Sequence, residues 1–385
     1  MPMIPVRRCA HDAQTPDSAT TARPFTSLLV ATLLALAAIT QAQASDESFG
    51  MKIFNVEPAL YPFVQIYLRT FDSNMQPLPG LNPMDVGLMV NGQSYDPRKG
   101  QYVIQQIRDR DHDSVRAIFV LDTSSDMAGD AFEQSLNSVA RFISAKRSND
   151  QVAIITTDGS PRGYTTVSEF ESDSEALLRR LADVEADLDA SPLYDAIAGA
   201  MEYSIAPAER TGPGAIGSNY VATTSIVIFS DGHDTASALT RSDLMRRIDR
   251  LQIPVPIYSI GYNERDSAHL NNLRALSRTS FGQFYDLTDN LDQMTRTVEN
   301  IHNIKQRDFV ITFRSYVDPD GRDHNLRVGV QYPPQSGRYQ YDRATFEAIT
   351  PPNLPAITEM RKQLFERMES VDDPFASDPL EDQYR

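Results

Sequence analysis

The chain has 385 residues, and 41% of them are hydrophobic, enough to bury more than one core. A formal charge of −16 and a pI near 4.8 exclude nucleic acid as a partner, because neutralising phosphates takes a basic surface. The acidity is read as solubilising.

The first apolar stretch, Leu28 to Ala38, follows Arg7, Arg8 and Arg23 and precedes Ala42-Gln43-Ala44. This order is that of a secretory signal peptide cleaved after Ala44, and the stretch is too short to span a bilayer. Residues 1–44 are therefore expected to be removed, leaving no integral membrane segment. Cys9, the single cysteine, lies inside the signal. The mature chain can then form neither a disulfide nor a thiolate metal site, which fits a bacterial periplasmic or secreted protein.

From 45 to 113 the pattern is one of short strands and turns. Phe63 to Phe71 alternates as a half-buried strand does, Met84 to Val90 and Tyr102 to Ile107 are further strands, and Asn91-Gly92 is a strong hairpin signal. The run Arg108-Asp109-Arg110-Asp111-His112-Asp113 is read as a solvated connector.

Residues 114–307 alternate strand and helix signals, as one α/β domain does. Ala117 to Leu121 shows no polar alternation, the mark of a strand buried on both faces of a parallel sheet. It ends in Asp122-Thr123-Ser124-Ser125-Asp126-Met127. Helices are expected around Phe132, Leu136, Val139 and Ile143, then around Leu177, Leu181 and Val184, and from Leu193 through Ile197 to Met201. Further strands are expected at 151–155, 225–230, 254–261 and 282–286, with helices at Leu244 to Leu251, Leu270 to Leu276 and Leu291 to Ile301. The strand at 225–230 ends in Asp231-Gly232, with His233 beside it, and Ser191-Pro192 opens a helix. Ligands of open α/β sheets sit beyond the carboxyl ends of the strands, so Asp122, Ser124, Asp126, Ser191 and Asp231 are candidates for one site. Carboxylates with neutral hydroxyls suit a hard cation, Mg²⁺ or Ca²⁺, and the donor types do not separate the two.

Residues 308–350 return to strands, at Phe309 to Val317, Leu326 to Tyr332 and Tyr339 to Tyr341, with Asp318 to Asp323 read as a hairpin connection. These strands are too few to stand alone, so they are expected to complete a β-sandwich begun by 45–113, with the α/β domain inserted between its halves. In 351–385, Ile357 to Met368 has helical spacing, and the acidic tail from Glu369 reads as disordered.

Asp122-x-Ser124-x-Asp126-Met127, Ser191-Pro192-Leu193-Tyr194-Asp195-Ala196 and Asp231-Gly232 together resemble the von Willebrand factor type A domain. The segment around Pro79-Gly80-Leu81 and Val90-Asn91-Gly92 is similar to the β-sandwich that precedes this domain in exported bacterial proteins. The resemblance implies a doubly wound, mostly parallel sheet and a metal-ion-dependent adhesion site. Asp122 and Ser124 would keep their roles, Ser191 would stand where the family usually has threonine, and Asp231 would be the second acidic member. Asp126 departs from the family, which has a second serine there. Like charges about 4 Å apart at an effective dielectric of 20 repel by roughly 4 kcal/mol, so a third carboxylate opposes entry of an acidic partner group. Asp126 either fills the ion's open position itself or turns away to cap the helix near Gly129. In family members that signal, the closing helix slides when the site changes coordination; here that helix would be 291–307.

With no phosphate loop, nucleophile elbow or His-Glu-x-x-His signature, and no His or Glu placed by motif as a base, an enzyme is not expected. The expected function is an extracytoplasmic protein-protein interaction module that binds a protein of the cell envelope or exterior through a divalent ion. The alternative is a metal-independent scaffold subunit of an envelope complex, its site vestigial. Partner identity and oligomeric state are not legible.

Overall fold

The computed structural model describes residues 49–111, 113–205, 220–263, 266 and 268–368. The expected signal with its cleavage after Ala44, His112 and the tail from Glu369 lie outside the described residues.

Five strands come first: β1 (Phe49–Leu60), β2 (Phe63–Asp72), β3 (Val86–Val90), β4 (Gln93–Tyr95) and β5 (Tyr102–Gln106). The α/β unit follows with β6 (Asp113–Leu121), α1 (Asp130–Ala145), β7 (Gln151–Thr157), β8 (Tyr164–Glu171), α2 (Ser174–Leu181), α3 (Leu193–Ile205) and β9 (Tyr220–Ser230). It continues through α4 (Arg241–Asp249), β10 (Ile257–Gly261), α5 (Leu270–Thr279), β11 (Phe284–Asp286) and α6 (Met294–Gln306). The chain then forms β12 (Phe309–Arg314), β13 (Asp323–Gln331), β14 (Tyr339–Glu347) and α7 (Pro355–Arg367).

Among the described residues there are three sheets, and the middle one is ordered β11-β10-β9-β6-β7-β8. It is parallel except for β8, which runs antiparallel to β7 at the edge. All nine residues of β6 are buried because β9 and β7 flank it and helices cover both faces. Side-chain alternation then divides the core in two. Ala117, Phe119 and Leu121 join Val139, Phe142, Val298 and Ile301 from α1 and α6. Ile118 and Val120 join Leu193, Ile197, Leu244 and Leu273 from α3, α4 and α5. This is the expected mixed α/β, doubly wound architecture.

The other two sheets, β1-β2-β12-β5 and β14-β13-β3-β4, share one apolar core that includes Ile66, Leu88, Ile311, Phe313, Val328 and Phe346. They form a sandwich in which strands from before and after the α/β unit interleave. Gln106 and Phe309 face each other across the β5–β12 ladder, so the chain leaves and re-enters the sandwich at one point. Insertion of the α/β unit there asks for no long crossover. The Asn91-Gly92 loop joins β3 to β4 with both residues at positive φ, 48° and 89°, the mirror-image turn that hairpin twist favours. Helix α7 closes one end, burying Ile357 against Leu60 and Phe63.

Four details differ from the sequence reading. Asp318 to Asp323 is not a hairpin, because β12 lies in one sheet and β13 in the other; alternation marks a strand without saying which neighbour it pairs with. The hairpin is β13–β14. Asp113 is not solvated: it begins β6, is fully buried and takes Arg110 as its partner at 2.7 Å. Strand β8 and the 12-residue β1, with its two register shifts, were not anticipated.

Where the two parts meet, the buried Arg69 donates from Nε and Nη2 to both oxygens of Asp308, at 2.6 and 2.8 Å, and from Nη1 to Tyr258 Oη at 2.7 Å. This ties β2 of the sandwich to Asp308, between α6 and β12, and to β10. Lys305, near the end of α6, donates to the Arg116 carbonyl at 2.7 Å and is also buried. Burial pushes the Lys305 ammonium down to about 7, against the opposing pull of Asp150 and Asp308. An unfolded lysine keeps its proton up to about pH 10. Between pH 7 and that value the unfolded state therefore binds more protons, and stability rises with pH. Urea denaturation at three pH values above 7 checks this. The wild type is expected to gain at most about 1.4 kcal/mol per pH unit, and Lys305→Met to flatten that slope.

Candidate metal centre

The site forms where β6 and β9 end side by side at the carboxyl edge of the sheet. Asp122 follows Leu121 and is 1% exposed. A buried carboxylate needs hydrogen bonds to its charged form. Ser191 Oγ lies 3.1 Å from each of its oxygens, Ser230 Oγ donates to Oδ2 at 2.6 Å, and the Ser124 N–H donates to Oδ1 at 3.1 Å. Three chain segments thus meet on one side chain. Even so, burial holds the Asp122 carboxyl above its ordinary range, with the Ser230 hydroxyl acting in the opposite direction.

Backbone bonds hold the surrounding loops. Ser125 N–H donates to Leu188 O at 2.8 Å, and Leu188 N–H to Thr123 O at 3.1 Å, clamping the loop after β6 to the one before α3. Ser191 N–H donates to Thr235 Oγ1, while Thr235 N–H returns a bond to Ser191 O, both at 2.8 Å. Gly232 has φ of 80°, and a Cβ there would lie 2.7 Å from the His269 carbonyl oxygen, so only glycine lets this turn pack against α5.

The five residues singled out from sequence converge, but not in equal roles. Asp122 and Ser191 bond directly. Ser124 Oγ is buried and has no partner at hydrogen-bonding geometry, although it lies close enough to Asp122 to draw down that carboxyl's proton affinity. Asp231 is 7% exposed and receives the His233 N–H at 2.9 Å. Burial raises its pKa, the His233 N–H lowers it, and the Asp122 and Asp126 charges raise it again. Asp126 is exposed, and its carboxylate lies within 4.8 Å of ligand atoms of both Asp231 and His233, so it faces the site. Helix α1 starts beyond it at Asp130, with Gly129 at the cap.

Ser230, Thr235 and Asn263 were missed. Ser230 is the last residue of β9, directly before Asp231, and its strand-end position was a usable signal. Asn263, which donates to Asp231 O at 3.0 Å, lies after β10 with no motif to mark it.

The donor set fits a divalent ion. Carboxylates from two strand ends, an orphaned buried hydroxyl and a second hydroxyl on the same carboxylate are hard oxygen donors, and a cation would offset the clustering of like charges. Ser124, Ser191 and Asp231, with Asp126, would hold it, and Asp122 would be reached directly or through the hydroxyls. Beside the site lies a cleft of about 520 Å³ whose wall includes Thr123, Asp158, Arg180, Asp183, Glu185 and Asp187.

Residues 117–233 match the family model of the von Willebrand factor type A domain. The matched residues lie within the α/β unit built around β6, which is carried here on a β-sandwich. No curated protein matches the chain. Among solved structures, the chain is similar to the SpRpn10 VWA domain, at 15% identity and a TM-score of 0.37, over 50% of this chain and 97% of that one. It is also similar to the three N-terminal domains of the type V pili tip protein Mfa5 from Porphyromonas gingivalis, at 10% identity and a TM-score of 0.36, over 78% and 76% of the two chains.

The turn at Gly232 offers a test of how tightly this edge is built. Gly232→Ala is expected to cost about 1–3 kcal/mol, since the backbone must leave positive φ or push α5 away. Chemical denaturation measures it, and a neutral substitution would mean that the turn tolerates another path.

Proposed function

We propose that the chain is an extracytoplasmic binding module, not an enzyme, and that its β6–β9 edge engages a protein partner with the help of a divalent cation. The observation that carries the reading is the buried, unpartnered Ser124 hydroxyl beside the Asp122 carboxylate, which Ser191 and Ser230 already bond. Leaving a buried hydroxyl unmatched costs about 1–3 kcal/mol, and a cation or its water at this edge removes that cost. The targeting signal read from residues 1–44 supports export to the periplasm or beyond. Among the described residues no helix is long and apolar enough to cross a membrane. von Willebrand factor type A domains commonly mediate protein-protein interaction.

The partner chemistry follows from charge. Asp126 adds a carboxylate at the mouth, and the neighbouring cleft is lined by four more against one arginine, Arg180. This edge suits basic groups of a partner better than acidic ones.

The same Asp126 favours a second reading, a scaffold subunit that recognises its partner without an ion. Isothermal titration with Mg²⁺, Ca²⁺ and Mn²⁺ separates the two. Saturable binding of one ion per chain, abolished in Asp122→Ala, is the expected result. A parallel capture of extracytoplasmic proteins should succeed with wild type plus the ion and fail with Asp122→Ala or chelator. Absence of ion binding, or capture that is equal in all arms, would leave the scaffold reading.

A further inference from the structure

His233 was not part of the donor set that the family resemblance implies. It lies two residues beyond Asp231, and Asp126, Asp231 and His233 each present a ligand atom within 4.8 Å of the others. We propose that these three residues bind a borderline divalent ion of the Zn²⁺ and Co²⁺ class in preference to Mg²⁺ or Ca²⁺. The proposal rests on the reading of this edge as a cation site, since Asp231 belongs to both.

Each ligand is held by structure behind it. The His233 N–H bonds Asp231 Oδ1 at 2.9 Å, which orients the carboxylate. The His233 ring lies on the ring of His269, with centroids 4.1 Å apart and planes at 32°, so its face is covered and its orientation limited. The glycine turn at 232 brings the two rings together by letting the loop approach the His269 backbone. Asp126 sits in a single helical turn closed by Met127 N–H on Ser124 O at 2.9 Å, with the Met127 side chain buried beneath. The Ser124 hydroxyl of that same turn is buried and lies beside Asp122, so the turn also joins the triad to the buried carboxylate at the end of β6.

The chemistry of the set selects the ion. Imidazole nitrogen suits Zn²⁺, Co²⁺, Ni²⁺ and Cu²⁺, whereas carboxylate, carbonyl and water suit Mg²⁺ and Ca²⁺. Mg²⁺ demands near-ideal octahedral oxygen and dehydrates reluctantly, so a nitrogen ligand works against it. Two carboxylates balance the charge of the ion. Three protein ligands leave a position open, the arrangement of zinc sites that accept an outside group.

The test is a spectroscopic titration of the purified protein with Co²⁺ as the probe, followed by competition with Zn²⁺ and with Mg²⁺. The expected result is one Co²⁺ per chain, displaced by equimolar Zn²⁺ but not by a large excess of Mg²⁺. His233→Ala should weaken Zn²⁺ binding by at least roughly 10–100-fold, the loss that removal of even an outer-shell partner brings. Asp126→Ser, which keeps an oxygen but removes the charge, should also weaken it, and circular dichroism verifies that both variants fold. Displacement of Co²⁺ by comparable Mg²⁺, or Zn²⁺ affinity unchanged in His233→Ala, overturns the triad. If Asp122→Ala still abolishes ion binding in that case, the cation reading of the edge survives. Failure of every ion to bind the wild type overturns both.

Discussion

A carboxylate buried at the end of the central strand is the constraint around which the α/β unit is arranged. Ionised Asp122 cannot be taken out of water without donors, and the loop that follows it supplies the Ser124 N–H. The donors come from Ser191, just before α3, and Ser230, at the end of β9. Satisfying one side chain therefore draws together the loops after β6 and β9 and the loop before α3. The loops cluster because β6, β7, β9 and β10 run parallel, so the loops that follow them open toward the same edge.

The sandwich is coupled to this unit through buried polar groups as well as through the apolar patch of Tyr67, Ile107, Val115, Ala222 and Val310. Arg69 bridges β2, Asp308 and Tyr258, while Lys305 pins the last turn of α6 to β6 at Arg116. Breaking a buried, bidentate ion pair by removing one partner costs about 3–5 kcal/mol. A slide of α6, the motion that signalling relatives use, would have to break the Lys305 bond and draw Asp308 away from Arg69. The closing helix is thus fastened at its sandwich end.

Much of this was legible in the residues, for physical reasons that can be named. A strand covered on both faces must be apolar throughout, so Ala117 to Leu121 announced the sheet centre. Helices that cover it must be apolar at helical spacing, so α1, α3, α4, α5 and α6 were visible. The site was legible through Asp122, Ser124, Ser191 and Asp231 because each lies at a strand end or helix start marked by Pro192 or Gly232. What escaped depends on pairing across long sequence distances. Nothing local says that β12 inserts between β2 and β5, or that β13 crosses to the other sheet. Strand β8 is half exposed at an edge, so its apolar signal is thin. Arg69, Asp308, Lys305 and Asn263 are polar residues whose burial is set by partners far along the chain. Asp126 could be read either way from sequence, and its position facing Asp231 and His233 emerges only from the fold of the loop.

The central claim is that the β6–β9 edge is built to hold a cation. Anomalous diffraction from crystals grown with Mn²⁺, with data collected near the manganese edge, tests it most directly. The account calls for one strong peak bounded by Ser124 Oγ, Asp126 and Asp231, lost in crystals of Asp122→Ala or Asp231→Ala. A map with no peak at this edge, and a water satisfying Ser124 in its place, would contradict it.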